Sequence, residues 1–122
     1  MSDVTVKRLD ELDAYQGKPG DPRVFLYAAK GLGVTAWGMN VLELPAGWAH
    51  YPDHDHTKDG QEEVYVVLEG NATLEAGGKQ IPLHRGVLVR VGPETKRKLV
   101  PGPNGVTLLA LGGTPGKAYA PK

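Results

Sequence analysis

Two imidazoles two residues apart and a carboxylate seven positions further on, His54, His56 and Glu63, have the types and spacing to hold a metal ion. On an extended backbone successive side chains alternate, so His54 and His56 project to the same face. Glu63 opens the run Glu63-Val64-Tyr65-Val66-Val67-Leu68, whose β-branched and aromatic residues predict a strand. Imidazoles and a carboxylate converging from neighbouring strands suit a divalent transition metal such as Fe, Mn, Zn, Ni or Cu. On residue types alone a second reading stands beside this one. A His-Asp-His tripeptide flanked by Asp53 and Lys58 is also what a solvated polar loop looks like.

Other chemistries are poorly served. Ser2 is the only serine and cysteine is absent, which excludes serine or cysteine triads, disulfides and cysteine-ligated zinc. Gly31-Leu32-Gly33 lacks the third glycine and the following helix of a phosphate-binding loop. Fourteen basic and fourteen acidic side chains cancel, which argues against a general nucleic-acid or membrane-surface role. No apolar run approaches the roughly 20 residues that span a bilayer. The N-terminal residues lack the apolar stretch of a secretory signal, so a cytoplasmic protein is expected.

The elements that must position the three candidate ligands are short strands. Seventeen glycines and ten prolines among 122 residues suit many tight turns, and no amphipathic helix of three turns is present. The patterning predicts an edge strand over 4–9, at most one helical turn over 10–15, and strands over 23–27 and 34–44. A bulge is expected at Gly38. Further strands are expected over 63–69, 72–75, 79–83, 87–91, 95–100 and 106–111. Turns are expected at Gly70-Asn71, at the hairpin pair Gly77-Gly78 and over 101–105. Pro82 cannot donate to a ladder and so belongs at a sheet edge or a bulge. Strands at this spacing indicate an all-β, antiparallel sandwich or barrel, and the length suits one domain, 1–122, with its core over about 23–111.

The stretch from Gly47 to Gly70 resembles the first motif of the cupin family: a glycine, a His-x-His pair, a glutamate, and a glycine seven positions beyond that glutamate. Counting back from Gly70 selects Glu63 rather than Glu62. Six residues separate His56 from Glu63 where the family has three or four, and Gly47 lies one position too far from His54. Both are loop-length changes, which surfaces tolerate. A degenerate second motif begins at Gly86. It carries Gly92-Pro93-Glu94 where Pro-x-Gly is expected, and Arg97 where the family has a fourth metal-binding histidine. The resemblance implies a jelly-roll β-barrel (a double-stranded β-helix) enclosing His54, His56 and Glu63, often as a homodimer. It also implies a small-molecule ligand, with metal-dependent oxygenase or isomerase chemistry as one outcome.

Arginine has no lone pair to offer, so Arg97 is not a ligand. Alternation with Lys96 and Lys98 turns it inward. There it could grip a substrate oxyanion beside the metal. Alternatively it could pair with Glu63, so that no metal enters and the barrel is a binding or sensor module. Tyr65 shares the parity of Glu63 and could line the same cavity as a substrate-binding residue. His50 is a candidate substitute ligand, although Tyr51-Pro52 suggests an exposed turn, and His84 is expected at the surface. Trp37 is expected to pack. Asp53, Asp55, Asp59 and Glu62 are expected to form a solvated acidic rim, with Asp55 alternating away from the two histidines.

Overall fold

The computed structural model describes residues 3–48 and 50–120. Six strands form an antiparallel sheet: β1 (Val24–Leu26), β2 (Gly38–Leu44), β3 (Glu62–Ala76), β4 (Lys79–Leu83), β5 (Leu88–Val91) and β6 (Arg97–Gly113). The order is β1-β2-β6-β3-β4, with β5 also on β3, and the ladder does not close into a ring. All-β, antiparallel architecture is therefore as expected. Among the described residues the helical content is one five-residue helix, α1 (Ala28–Leu32), and a single 3₁₀ turn at Leu9–Glu11. No helix among the described residues is long and apolar enough to cross a membrane.

The long strands β3 and β6 organise the sheet. Residues 62–70 of β3 pair with 106–113 of β6, and residues 72–76 pair with 97–101. Two register shifts, between Val67 and Glu69 and between Gly70 and Ala72, separate these blocks. An inserted residue reverses the face to which the following side chains point. In β3 the core-facing residues are accordingly Tyr65 and Val67 before the bulges but Ala72 and Leu74 after them. In β6 they change from Arg97 and Leu99 to Val106, Leu108 and Ala110. One continuous pair of strands thus feeds two faces of the same interior. β5 pairs with the first half of β3 and β4 with the second, completing the two faces.

The bulges correct two expectations. Gly70-Asn71 and residues 101–105 do not end their strands: β3 and β6 continue through them, although residues 102–105 have no ladder partner in β3. The left-handed φ of Gly70 (75°) and Gly105 (73°) absorbs the irregularity where a turn was expected. The strand expected over 34–44 starts only at Gly38; α1 ends at Leu32, and residues 33–37 link the two without entering the sheet. Gly38 sits in regular register opposite Gly112 rather than at a bulge. Its missing side chain makes room for Tyr119, whose hydroxyl would lie 2.8 Å from a Cβ there. Residues 4–9 form no strand; Val4 and Val6 stay exposed. Gly77-Gly78 joins β3 to β4 with φ of 57° and 77°, the left-handed pair that a two-residue hairpin needs. Pro82 lies on the edge strand β4.

The interior is aliphatic with two exceptions. Leu42, Leu44, Val67, Leu74, Leu83, Leu99, Val106 and Leu108 fill it, and Tyr65 and Arg97 complete the wall at one end. A smaller cluster of Leu26, Ala28 and Val41 on the opposite face of β1 and β2 is covered by Leu12, Met39 and Leu109.

Candidate metal centre

The loop between β2 and β3 carries His54 and His56, and backbone pairing fixes it to the start of β6. His54 N–H donates to the Arg97 carbonyl at 3.0 Å, and Arg97 N–H returns a bond to the His54 carbonyl at 2.8 Å. His56 N–H donates to the Pro93 carbonyl at 2.8 Å. This short extended pairing holds the two imidazoles on one face, with ring centroids 5.3 Å apart. Glu63 reaches the same place from the second position of β3, on the inward parity of Tyr65 and Val67. The longer loop between His56 and Glu63 therefore does not separate them.

Ligand atoms of His54, His56 and Glu63 all lie within 4.8 Å of one another. His56 Nε2 stands 3.3 Å and His54 Nε2 3.9 Å from Glu63 Oε1. The other ring nitrogens are engaged. His54 Nδ1 donates to the Pro52 carbonyl at 3.0 Å, and His56 Nδ1 to the two carboxylate oxygens of Asp59 at 3.1 and 3.2 Å. A carbonyl or carboxylate can only accept, so each neutral ring carries its proton on Nδ1 and keeps its Nε2 lone pair for the cluster. His56 Nε2 is buried and has no hydrogen-bond partner. Two bare imidazole nitrogens and a carboxylate oxygen, each within a ligand's reach of a common point, fit a divalent ion.

Behind this face, Glu63 is held from two sides. Tyr65 Oη donates to Glu63 Oε1 at 2.9 Å, and Arg97 Nη1 to the same oxygen at 3.3 Å. Arg97 is completely buried, and its Nη2 donates to the Gly92 carbonyl. Its Nε has no hydrogen-bond partner. Both residues thus point inward and meet at Glu63. Burial pushes the Tyr65 hydroxyl well above its ordinary value, and the charges of Tyr51 and Glu63 push the same way.

Sequence reasoning missed two residues. Tyr51 packs against the core instead of standing in an exposed turn, and its ring centroid lies 5.7 Å from that of His54. Burial first, and the Glu63 charge second, push its hydroxyl up to about 12. No local pattern announces this placement. Asp59, expected in the solvated rim, instead faces His56; the i, i+3 spacing from His56 was the available signal.

The remaining candidates lie elsewhere. His50 is exposed against Trp48 and takes no part in the cluster. His84 is exposed, with Nδ1 against the Arg85 carbonyl. Glu62 pairs with Arg90 at 2.7 Å, and Asp55 accepts a hydrogen bond from Thr57 N–H. Trp37, expected to pack, is 45% exposed.

No protein-family model and no curated protein sequence matches the chain. Its fold is nonetheless shared with solved structures. A cupin protein from Bacteroides fragilis is similar at 24% identity and a TM-score of 0.66, over 88% of this chain and 89% of that one. A sugar phosphate isomerase from a cupin superfamily, from Silicibacter pomeroyi, is similar at 21% identity and a TM-score of 0.75, over 96% and 77%. A predicted oxalate decarboxylase from Thermotoga maritima is similar at 18% identity and a TM-score of 0.70, over 88% and 97%.

Proposed function

We propose that this chain, whose fold is that of the cupins, binds a divalent transition metal through His54, His56 and Glu63 and acts on a small organic substrate there. The observation that carries the reading is the buried, unpartnered Nε2 of His56 directed with His54 Nε2 at one oxygen of Glu63. Three protein donors leave positions for water and substrate, and a metal in such a site supplies Lewis acidity or a bound nucleophile. Oxygenase or isomerase chemistry suits this arrangement. The similar solved proteins named as an isomerase and a decarboxylase are in keeping with it. Arg97 and Tyr65 form the wall behind Glu63, and substrate reaches either one by taking over its bond to that carboxylate. The molecule works as a cytoplasmic homodimer on this reading. Leu88, 72% exposed on β5, is the sort of side chain that such a seam covers.

A second reading rests on the Arg97–Glu63 contact of 3.3 Å. Arg97 then stands permanently in place of the ion, and the barrel binds an organic ligand without catalysis. Metal analysis of protein purified without chelator decides between the two. Near-stoichiometric metal that His54→Ala abolishes is the expected result. Sub-stoichiometric metal that His54→Ala leaves unchanged overturns the metal reading in favour of the second. Sedimentation equilibrium tests the dimer.

A further inference from the structure

Asp59 lies against the Nδ1 side of His56, the side that does not face Glu63, and its turn is fixed by several hydrogen bonds. Both carboxylate oxygens lie against His56 Nδ1, at 3.1 and 3.2 Å. Oδ1 also accepts the backbone N–H of Gln61 at 3.1 Å, which fixes the carboxylate from within its own turn. Gly60 N–H closes that turn on the His56 carbonyl at 2.8 Å. The Asp59 carbonyl accepts the Thr114 hydroxyl at 2.8 Å, across 55 residues of sequence. Thr114 directly follows β6, whose last residue, Gly113, pairs with Glu62 at the start of β3. The turn bearing Asp59 is therefore tied to the strand pair that positions Glu63.

We infer that Asp59 is a positioning residue for the proposed metal centre and that Thr114 locks it in place. The inference rests on the metal-binding reading of His54, His56 and Glu63. Two physical consequences follow. The carboxylate selects the Nδ1–H tautomer of His56, which presents the Nε2 lone pair toward Glu63. Its negative charge, on the far side of the ring, raises the electron density that Nε2 offers to a cation, as outer carboxylates do for ligating histidines. His54 has only the neutral Pro52 carbonyl in the corresponding place, so the two imidazoles are unequal donors and His56 is the stronger. Thr114 adds the link that carries this into the sheet. Without its hydroxyl the Asp59 carbonyl loses that bond, and the carboxylate is freer to leave the imidazole.

The test is a titration of chelator-stripped protein with Co(II), read by the visible absorption of the bound ion and by calorimetry. Asp59→Asn keeps the volume but offers an amide that can donate to His56 Nδ1 and stabilise the wrong tautomer. It is expected to weaken Co(II) binding about 10–100-fold and to shift the absorption bands. Asp59→Glu is expected to recover part of the loss, and Thr114→Val to give a smaller loss of the same kind. The thermal midpoint of the metal-free protein reports the fold separately and should move little in Asp59→Asn. Wild-type affinity and bands in Asp59→Asn overturn the inference while leaving the metal reading intact. An affinity loss that merely follows a fall in the metal-free midpoint overturns it as well. Absence of Co(II) binding by the wild-type protein removes both.

Discussion

Arg97 Nη1 and His56 Nε2 lie at the same distance, 3.3 Å, from Glu63 Oε1. The arginine and an ion bound by the imidazoles would therefore draw on the same oxygen. A guanidinium is a fixed positive charge, and with Arg97 buried and Glu63 largely so, its repulsion of a dication is only partly screened by the solvent that reaches His54. Removing that charge while adding a lone pair should tighten the site. Arg97→His is expected to raise Co(II) or Zn(II) affinity tenfold or more, an estimate of about 1.4 kcal/mol for one additional donor and one fewer repulsive charge. Competition against a colorimetric chelator measures it. Unchanged affinity would mean that the imidazole cannot reach the centre and that the guanidinium does not oppose the ion.

The same contact makes Glu63 the partner of a completely buried cation. Glu63→Gln keeps the side-chain shape and a hydrogen-bond acceptor for Tyr65 and Arg97 but leaves the guanidinium without a counter-charge. Breaking a buried pair by neutralising one member typically costs about 3–5 kcal/mol, because the other charge stays desolvated. For a chain of this length that corresponds to a melting point lower by about 10 °C or more. The comparison is made on metal-free protein by thermal denaturation. A shift below about 2 °C would show that water screens the pair and that Arg97 needs no partner.

Alkaline pH should act through the tyrosines behind the site. Burial raises the Tyr51 hydroxyl to about 12 and also raises Tyr65. The sign follows directly. Below pH 10 both rings are neutral in the folded and the unfolded chain, and their contribution to stability is fully present. Above the ordinary tyrosine value of about 10 the unfolded chain ionises first, so stability falls as pH rises toward the folded value. Each tyrosine removes up to about 1.4 kcal/mol per pH unit over that window. Urea midpoints measured between pH 8 and 12 should be flat to about pH 10 and then drop. The drop should be shallower in Tyr51→Phe. A profile that the variant leaves unchanged would place the sensitivity elsewhere.

What joined Glu63 to the two histidines in the sequence is the resemblance to the cupin motif and the spacing from Gly70; the local part of the cluster follows from strand periodicity. His54 and His56 share a face for that reason, and Glu63 and Tyr65 likewise. Alternation also turned Arg97 inward, since its neighbours are lysines. The placements that were missed depend on contacts between distant parts of the chain. Tyr51 is buried by Tyr65 and the sheet behind it, and Asp59 is held by Thr114. The prolines and glycines of residues 101–105 predict a turn, because such residues usually mark one. Pairing with β3 at Pro101 and at Val106 holds the two ends of this excursion within one strand, β6. α1 was overlooked because five residues are too few to display helical periodicity.

The junction between the two blocks of the β3–β6 pairing makes the last prediction. Gly70 has a left-handed φ of 75°, and a Cβ built on it would lie 2.2 Å from the Gly105 carbonyl oxygen. That oxygen belongs to backbone and cannot swing aside. The backbone conformation costs a non-glycine residue about 1–2 kcal/mol, and the collision adds about 1–3 kcal/mol of displaced structure. Gly70→Ala should therefore lower stability by about 3 kcal/mol, seen as a lower urea midpoint at unchanged slope. Because the two blocks carry opposite inward parities, slippage here would also turn Tyr65 and Glu63 away from the face that holds His54 and His56. Metal affinity should thus fall along with stability in Gly70→Ala. Gly78→Ala, a hairpin glycine whose Cβ would meet nothing within 4 Å, should cost only its φ preference and leave the site intact. If the two variants were equally stable, the close approach of β3 and β6 at Gly70 would not be what fixes the register.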